Sequence, residues 1–136
     1  MREIQEANRR FYQALSKLDL KAMVAVWHHE SQVSCVHPGW PPLSGWDRVR
    51  ESWERIFENT ANQLVEPRNV EVRVFGELAW VSCLEQITAN SGTGGIISLA
   101  VGNNLFLKTK EGWKIILHHA STIPVEVETP PATQIH

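Results

Sequence analysis

The feature that most constrains this chain is a switch in hydrophobic period partway along it. Up to Asn59 the apolar residues recur every three or four positions, as on one face of an α-helix; from Val70 they alternate, as on a β-strand. Ile4, Ala7, Phe11, Leu15 and Leu18 predict a helix over 4–18. Asp19 is placed to cap a second helix over 20–28, with Leu20, Met23, Val24 and Trp27 as its apolar face. A third, over 46–59, buries Val49, Trp53, Ile56 and Phe57. Between the second and third helices, Val33, Cys35 and His37 alternate with Gln32, Ser34 and Val36, which predicts a strand over 31–37 ended by Pro38-Gly39. After Pro67 come strands over 70–75, 78–90, 96–109 and 113–122, joined by Gly76-Glu77, the glycine-rich 91–95 segment and Lys110–Gly112. Gly102-Asn103 is a candidate bulge. Helices first and long hairpin-linked strands after is the α+β pattern, with helices gathered on one face of a sheet. Residues 1–122 form one domain, and 123–136, with Pro124, Pro130 and Pro131, read as an extended tail.

Pairing arithmetic then assigns faces. A turn at Gly76-Glu77 puts Val70, Val72 and Val74 on one side with Ala79, Val81, Cys83 and Glu85. The valine side belongs against the helices, so Glu85 points inward. Pairing Lys108 with Trp113 puts Asn104 and Phe106 on the inner side with Ile115, Leu117, His119 and Ser121. Leu105, Leu107, Ile116, His118 and Ala120 fall on the reverse face, which is apolar enough to expect a homodimer through the outer sheet face.

Composition excludes several classes of function. Among 136 residues, 13 Lys+Arg face 15 Asp+Glu for a net charge of −2, without the basic surplus of a nucleic-acid partner. No apolar run approaches the ~20 residues that cross a bilayer. The charged opening MREIQEANRR is not a secretory signal, so a cytoplasmic location is expected. Two cysteines, Cys35 and Cys83, do not make a disulfide scaffold. Six tryptophans in so short a chain imply a deep core or a lined cavity, since each indole N–H needs a partner.

The inward set Glu85, Asn104 and His119, with His37 at the end of its strand, is the candidate chemistry: a carboxylic acid, an imidazole and an amide suit acid–base work on a small molecule. A satisfied buried polar cluster is the alternative. Trp40, between Gly39 and Pro41, has no periodic reason to be buried; with Trp53 it is a candidate contact for a small apolar ligand. Cys35, His37, Cys83 and His119 could form a tetrahedral zinc set only if three strands converged, and they match no ligand spacing. No metal and no cofactor are expected.

Read in order, FYQALSKLDLKAMVAVW, VHPGWPPLSGWDRVRESWERIF, GELAWVSCLEQI, NNLFLKTKEGWKI and HHAS resemble the SnoaL-like branch of the nuclear transport factor 2-like superfamily over residues 5–122. The resemblance implies a cone: a curved antiparallel sheet wrapped around three helices, with a pocket between them and a dimer across the outer face. Its relatives include polyketide cyclases, dehydratases, ketosteroid isomerase and the association domain of calcium/calmodulin-dependent kinase II. Against the isomerase, His37 falls on the general-base position and Phe11 on the oxyanion-hole tyrosine, with Tyr12 read onto another face. His119 and Ser121 match polar residues that end the last strand in such sequences, and Asn104 and Glu85 resemble recurrent positions. Two functions follow as expectations. One is a cofactor-free lyase, isomerase or cyclase with His37 as base, Glu85 or His119 as acid, Asn104 as oxyanion donor and Ser121 as a ligand contact. The other is a non-catalytic ligand-binding or dimerisation module.

Overall fold

The computed structural model describes residues 1–90 and 95–124. Three helices come first: α1 (Arg2–Lys17), α2 (Leu20–Val26) and α3 (Trp46–Glu58). Leu18 ends α1 in the left-handed conformation, with φ 53°, and sends its N–H back to the carbonyl of Leu15. One residue on, the Asp19 carboxylate accepts from the N–H of Ala22 at 3.1 Å and starts α2. Gly45 precedes α3 with φ 92°, a conformation glycine adopts without strain.

Between α2 and α3 lie β1 (Ser34–Val36) and a two-residue β2 (Leu43–Ser44), which forms directly after Pro41-Pro42. Four long strands follow: β3 (Leu64–Phe75), β4 (Leu78–Asn90), β5 (Gly95–Thr109) and β6 (Gly112–Ile123). Their order in the six-stranded sheet is β2-β1-β6-β5-β4-β3. All neighbours are antiparallel except β1 and β6, so the sheet is mixed rather than wholly antiparallel. It is also unclosed, with β2 and β3 as free edges. Helix α1 touches both β3 and β6, although β4 and β5 lie between them. A flat sheet could not bring both strands to one helix, so the sheet curves around α1.

The first hairpin pairs as its turn dictates, with Phe75 opposite Leu78 and Val72 opposite Val81. Strand β3 nevertheless starts six residues before Val70 and runs through Pro67. An edge strand tolerates a proline because one row of its backbone groups has no partner to lose. A register shift between Arg68 and Glu71, with Asn69 at φ 54°, absorbs the break.

The last hairpin corrects the sequence reading. Lys108 pairs with Trp113 and Phe106 with Ile115, as expected, but the register shifts between Leu105 and Phe106, and Leu105 faces Leu117. The extra residue, Ile116, is a bulge on β6, so every residue beyond it changes face. His118 and Ala120 therefore turn inward, each 2 % exposed, while His119 and Ser121 point outward. Gly102-Asn103, the expected bulge, pairs regularly with Ala120 and His119.

The core fills the hollow of the sheet: Phe11 from α1, Met23 from α2, Trp53 from α3, and Val81, Phe106 and Ile115 from the strands, all nearly inaccessible. Burying a side chain such as Phe11 contributes about 1.5–3 kcal/mol. Ile123 still belongs to β6, and the rest of the predicted tail beyond Pro124 lies outside the described residues, as does the 91–94 loop.

Candidate functional site

A cavity of about 220 Å³ opens between α1, α3 and the inner face of the sheet. Its wall is mostly apolar, with Trp40, Trp53 and Ile56 on one side and Val65, Ile87 and Ala120 on the other. Three titratable side chains interrupt it: His37, Glu85 and His118. No lysine or arginine lines it among the described residues.

Glu85 is 3 % exposed on the inner face of β4, and no described salt bridge includes it. Tyr12 of α1 donates its hydroxyl to Glu85 Oε2 at 2.7 Å, and the Tyr12 hydroxyl oxygen also lies 3.3 Å from Cys83 Sγ. Burial raises the carboxyl above its ordinary value, and the single bond from Tyr12 only partly offsets this. Burial, with Glu85 close by, also lifts the Tyr12 phenol well above its usual range. Space for the pair comes from Gly102, directly beneath it on β5. A Cβ there would overlap Glu85 Oε2 and lie 2.9 Å from Cδ and 3.0 Å from the Tyr12 hydroxyl.

His118 is held from behind. Asn104 donates its amide N–H to Asn8 Oδ1 at 2.9 Å, so its oxygen is left to accept from His118 Nδ1 at 2.6 Å. That bond fixes the tautomer: the proton sits on Nδ1, and Nε2 carries a lone pair with no hydrogen-bond partner among the described residues. Burial lowers the ring to about 3, so it is neutral at physiological pH. Asn104 itself is 1 % exposed with both ends of its amide engaged. It stands behind the cavity wall, not on it, which corrects its expected place as a ligand or oxyanion donor.

His37 lies just past β1, with Trp40 and Trp53 edge-on to its ring at centroid distances of 5.0 and 4.6 Å. Ser52 Oγ gives its hydrogen to the carbonyl of Val49 at 2.6 Å and so accepts from His37 Nε2 at 2.8 Å. Burial lowers the ring to about 4. A solvated imidazole titrating near 6.5 is what the sequence suggests; the actual ring is neutral, enclosed and a weak base.

Of the residues chosen from sequence, His37, Glu85, Trp40 and Trp53 meet at this cavity. His119 and Ser121 do not, because the β6 bulge puts them on the outer face. The zinc set fails for the same reason: Cys35 and His37 are inside and His119 outside, and among the described residues no cluster of three potential ligands could hold a metal ion. Sequence reasoning missed His118, Asn8, Ser52 and Tyr12. Tyr12 was readable in part. Phe11 and Tyr12 are both buried, because a helix lying in a curved sheet has a wider buried arc than one flat face would give it.

The outer face also changes. Leu105 and Leu107 keep their predicted places, but Leu117 replaces Ile116, which packs against the core, and His118 and Ala120 leave this face. Leu84 and Trp80 extend the patch onto β4, where Arg73 covers the Trp80 ring at 4.3 Å and Trp80 Nε1 donates to Asn103 Oδ1. No described helix is long and apolar enough to cross a membrane.

Comparison with known proteins agrees with this architecture. The chain is similar to a proposed dehydratase of the NTF2-like family from Streptomyces avermitilis, at 34 % identity over 91 % of this chain and 96 % of that one, with a TM-score of 0.84. A proposed calcium/calmodulin-dependent protein kinase type II association domain from Thiobacillus denitrificans is 26 % identical, covering 88 % and 94 % of the two chains, with a TM-score of 0.81. The F-box protein SKIP8 of Arabidopsis thaliana is 24 % identical over 125 residues, and the chain spans about half of that protein's length, 52 %. Residues 4–126 match the SnoaL-like domain, and the chain belongs to that family.

Proposed function

We propose that this protein binds a small, mostly apolar molecule in the cavity and exchanges a proton with it through Glu85, as a cofactor-free lyase or isomerase. The observation that carries this reading is Glu85 itself: a carboxyl with no cationic partner among the described residues, steadied by Tyr12 and opening on an apolar hollow. A carboxyl whose proton affinity is raised by burial is better suited than a solvated one to give and take a proton in turn, which is what general acid–base catalysis asks of it. His37 and His118, lowered to about 4 and about 3, serve as neutral polar contacts, not as bases. The likeness to a proposed dehydratase at 34 % identity supports elimination of water as the first reaction to try.

The test uses a β-hydroxy ketone carrying a phenyl ring, whose loss of water yields a strongly absorbing conjugated enone. Glu85 would take the α-proton and return it to the departing hydroxyl, so the carboxyl ends as it began. The wild-type protein should accelerate this saturably, and Glu85→Gln should lower the rate by about 100-fold or more. Equal rates in both proteins contradict a proton-transfer role.

A second reading, a non-catalytic association module, is favoured by the apolar outer face around Leu84, Leu105, Leu107 and Leu117 and by the likeness to a proposed kinase association domain. Under either reading two copies meet through this face as a homodimer.

A further inference from the structure

The polar groups on the cavity wall specify more than "apolar ligand". His118 presents an acceptor: Nδ1 is committed to Asn104, and Nε2 has no described partner. Glu85 accepts from Tyr12 on one oxygen, and its other oxygen, Oε1, has no described partner. The two groups face the same cavity from β4 and β6, on either side of β5. The Glu85 carboxyl lies over Gly102, Gly102 pairs with Ala120, and Ala120 is two residues from His118 on the same inner face. His37 adds no further donor, because its Nε2–H is held by Ser52.

We infer that the cavity takes an uncharged molecule of one or two rings bearing a hydroxyl group, which donates its hydrogen to His118 Nε2 and accepts one from the Glu85 carboxyl. A hydroxyl is the smallest group that both donates and accepts at one atom, and so it can meet two groups of opposite need on one cavity wall. Size sets the body of the ligand: a ~150 Å³ apolar cavity holds benzene, and this one is about 220 Å³. Charge sets the exclusion. A carboxylate ligand would meet a buried carboxyl and no described cation, which leaves its charge uncompensated. Burial raises the proton affinity of Glu85, which favours its acting as the donor.

This inference rests on the proposed ligand-binding cavity, and the experiment separates the two. Naphthol, its methyl ether, naphthalene and naphthoate are titrated into the wild-type protein by equilibrium dialysis at pH 7. The methyl ether keeps the oxygen as an acceptor but cannot donate to His118, so no variant has to fold for the test to work. Naphthol should bind about tenfold more tightly than its methyl ether, and more tightly still than naphthalene. Naphthoate should be weakest. Binding of naphthalene or the ether as tight as that of naphthol overturns the hydroxyl assignment and leaves the apolar cavity standing. Preferred binding of naphthoate overturns the exclusion of anions. No binding by any of the four overturns the cavity reading itself, and this inference with it.

Discussion

Gly102→Ala is a one-methyl change whose effect can be worked from the structure. Gly102 lies within a strand at a backbone conformation open to any residue, so an added Cβ brings no backbone strain. What it meets is the Glu85 carboxyl, with Cδ at 2.9 Å, and the Tyr12 hydroxyl at 3.0 Å. Neither is the loose end of a surface side chain; both are buried and bonded to one another. Overpacking of this kind costs about 1–3 kcal/mol, and losing the Tyr12–Glu85 bond adds about 1 kcal/mol. For a chain of this length, about 2–4 kcal/mol corresponds to a fall in melting temperature of about 7–14 °C. The assay is a double-mutant cycle followed by thermal and urea unfolding. In the Glu85→Ala background the obstructing carboxyl is gone, so adding Gly102→Ala should cost less than about 1 kcal/mol, a coupling expected only of groups in contact. An equal cost in both backgrounds, or none in the wild type, would refute the claim that Gly102 exists to seat Glu85.

Four further outcomes are expected. Stability should fall as pH drops from about 6.5 toward 4: His37 and His118 bind protons less readily folded than unfolded, so their contribution is complete above the ordinary histidine value and is lost toward about 4 and about 3. Glu85 acts with the opposite sign. Its folded value is raised, so it lowers stability as pH rises above 4.5 through that value, and Glu85→Gln should increase the melting temperature at pH 8 relative to pH 5. Tyr12→Phe should shift the pH profile of any Glu85-dependent reaction upward, because the hydroxyl that favours the ionised carboxyl is removed; an unmoved profile would separate Tyr12 from the site. Sedimentation of the wild-type protein should give twice the chain mass with an interface above roughly 1,000 Å², and Leu117→Lys should give the monomer; a wild-type monomer at micromolar concentration contradicts the outer-face dimer.

Much of the fold was legible because its signals are local. Asp19 caps where a capping residue should, and Gly76-Glu77 turns the first hairpin in the register its length allows. The hairpin register carries Glu85 to the inside, and the break at Pro38-Gly39 carries His37 and Trp40 to the cavity. What escaped was the single bulge on β6. Ile115, Ile116 and Leu117 are equally apolar, so nothing in their identities says which one is inserted. Yet that one residue decides whether His118 or His119 faces the cavity. Asn8 and Ser52 escaped for another reason. Each is a lone polar residue on an apolar helix stripe, and its meaning comes only from partners far off in sequence, Asn104 for one and His37 for the other. The parallel pairing of β1 with β6 is likewise set by long-range contact, since three residues of β1 carry no register of their own.

The central claim is that Glu85 is a carboxyl whose proton affinity is raised by its burial beside the cavity. Titration of its side-chain carboxyl carbon by nuclear magnetic resonance, without and with naphthol, tests this directly. The account predicts a midpoint above the ordinary 4.5 that rises further when naphthol occupies the cavity and excludes water from it. A midpoint at or below 4.5, unmoved by naphthol, would contradict it.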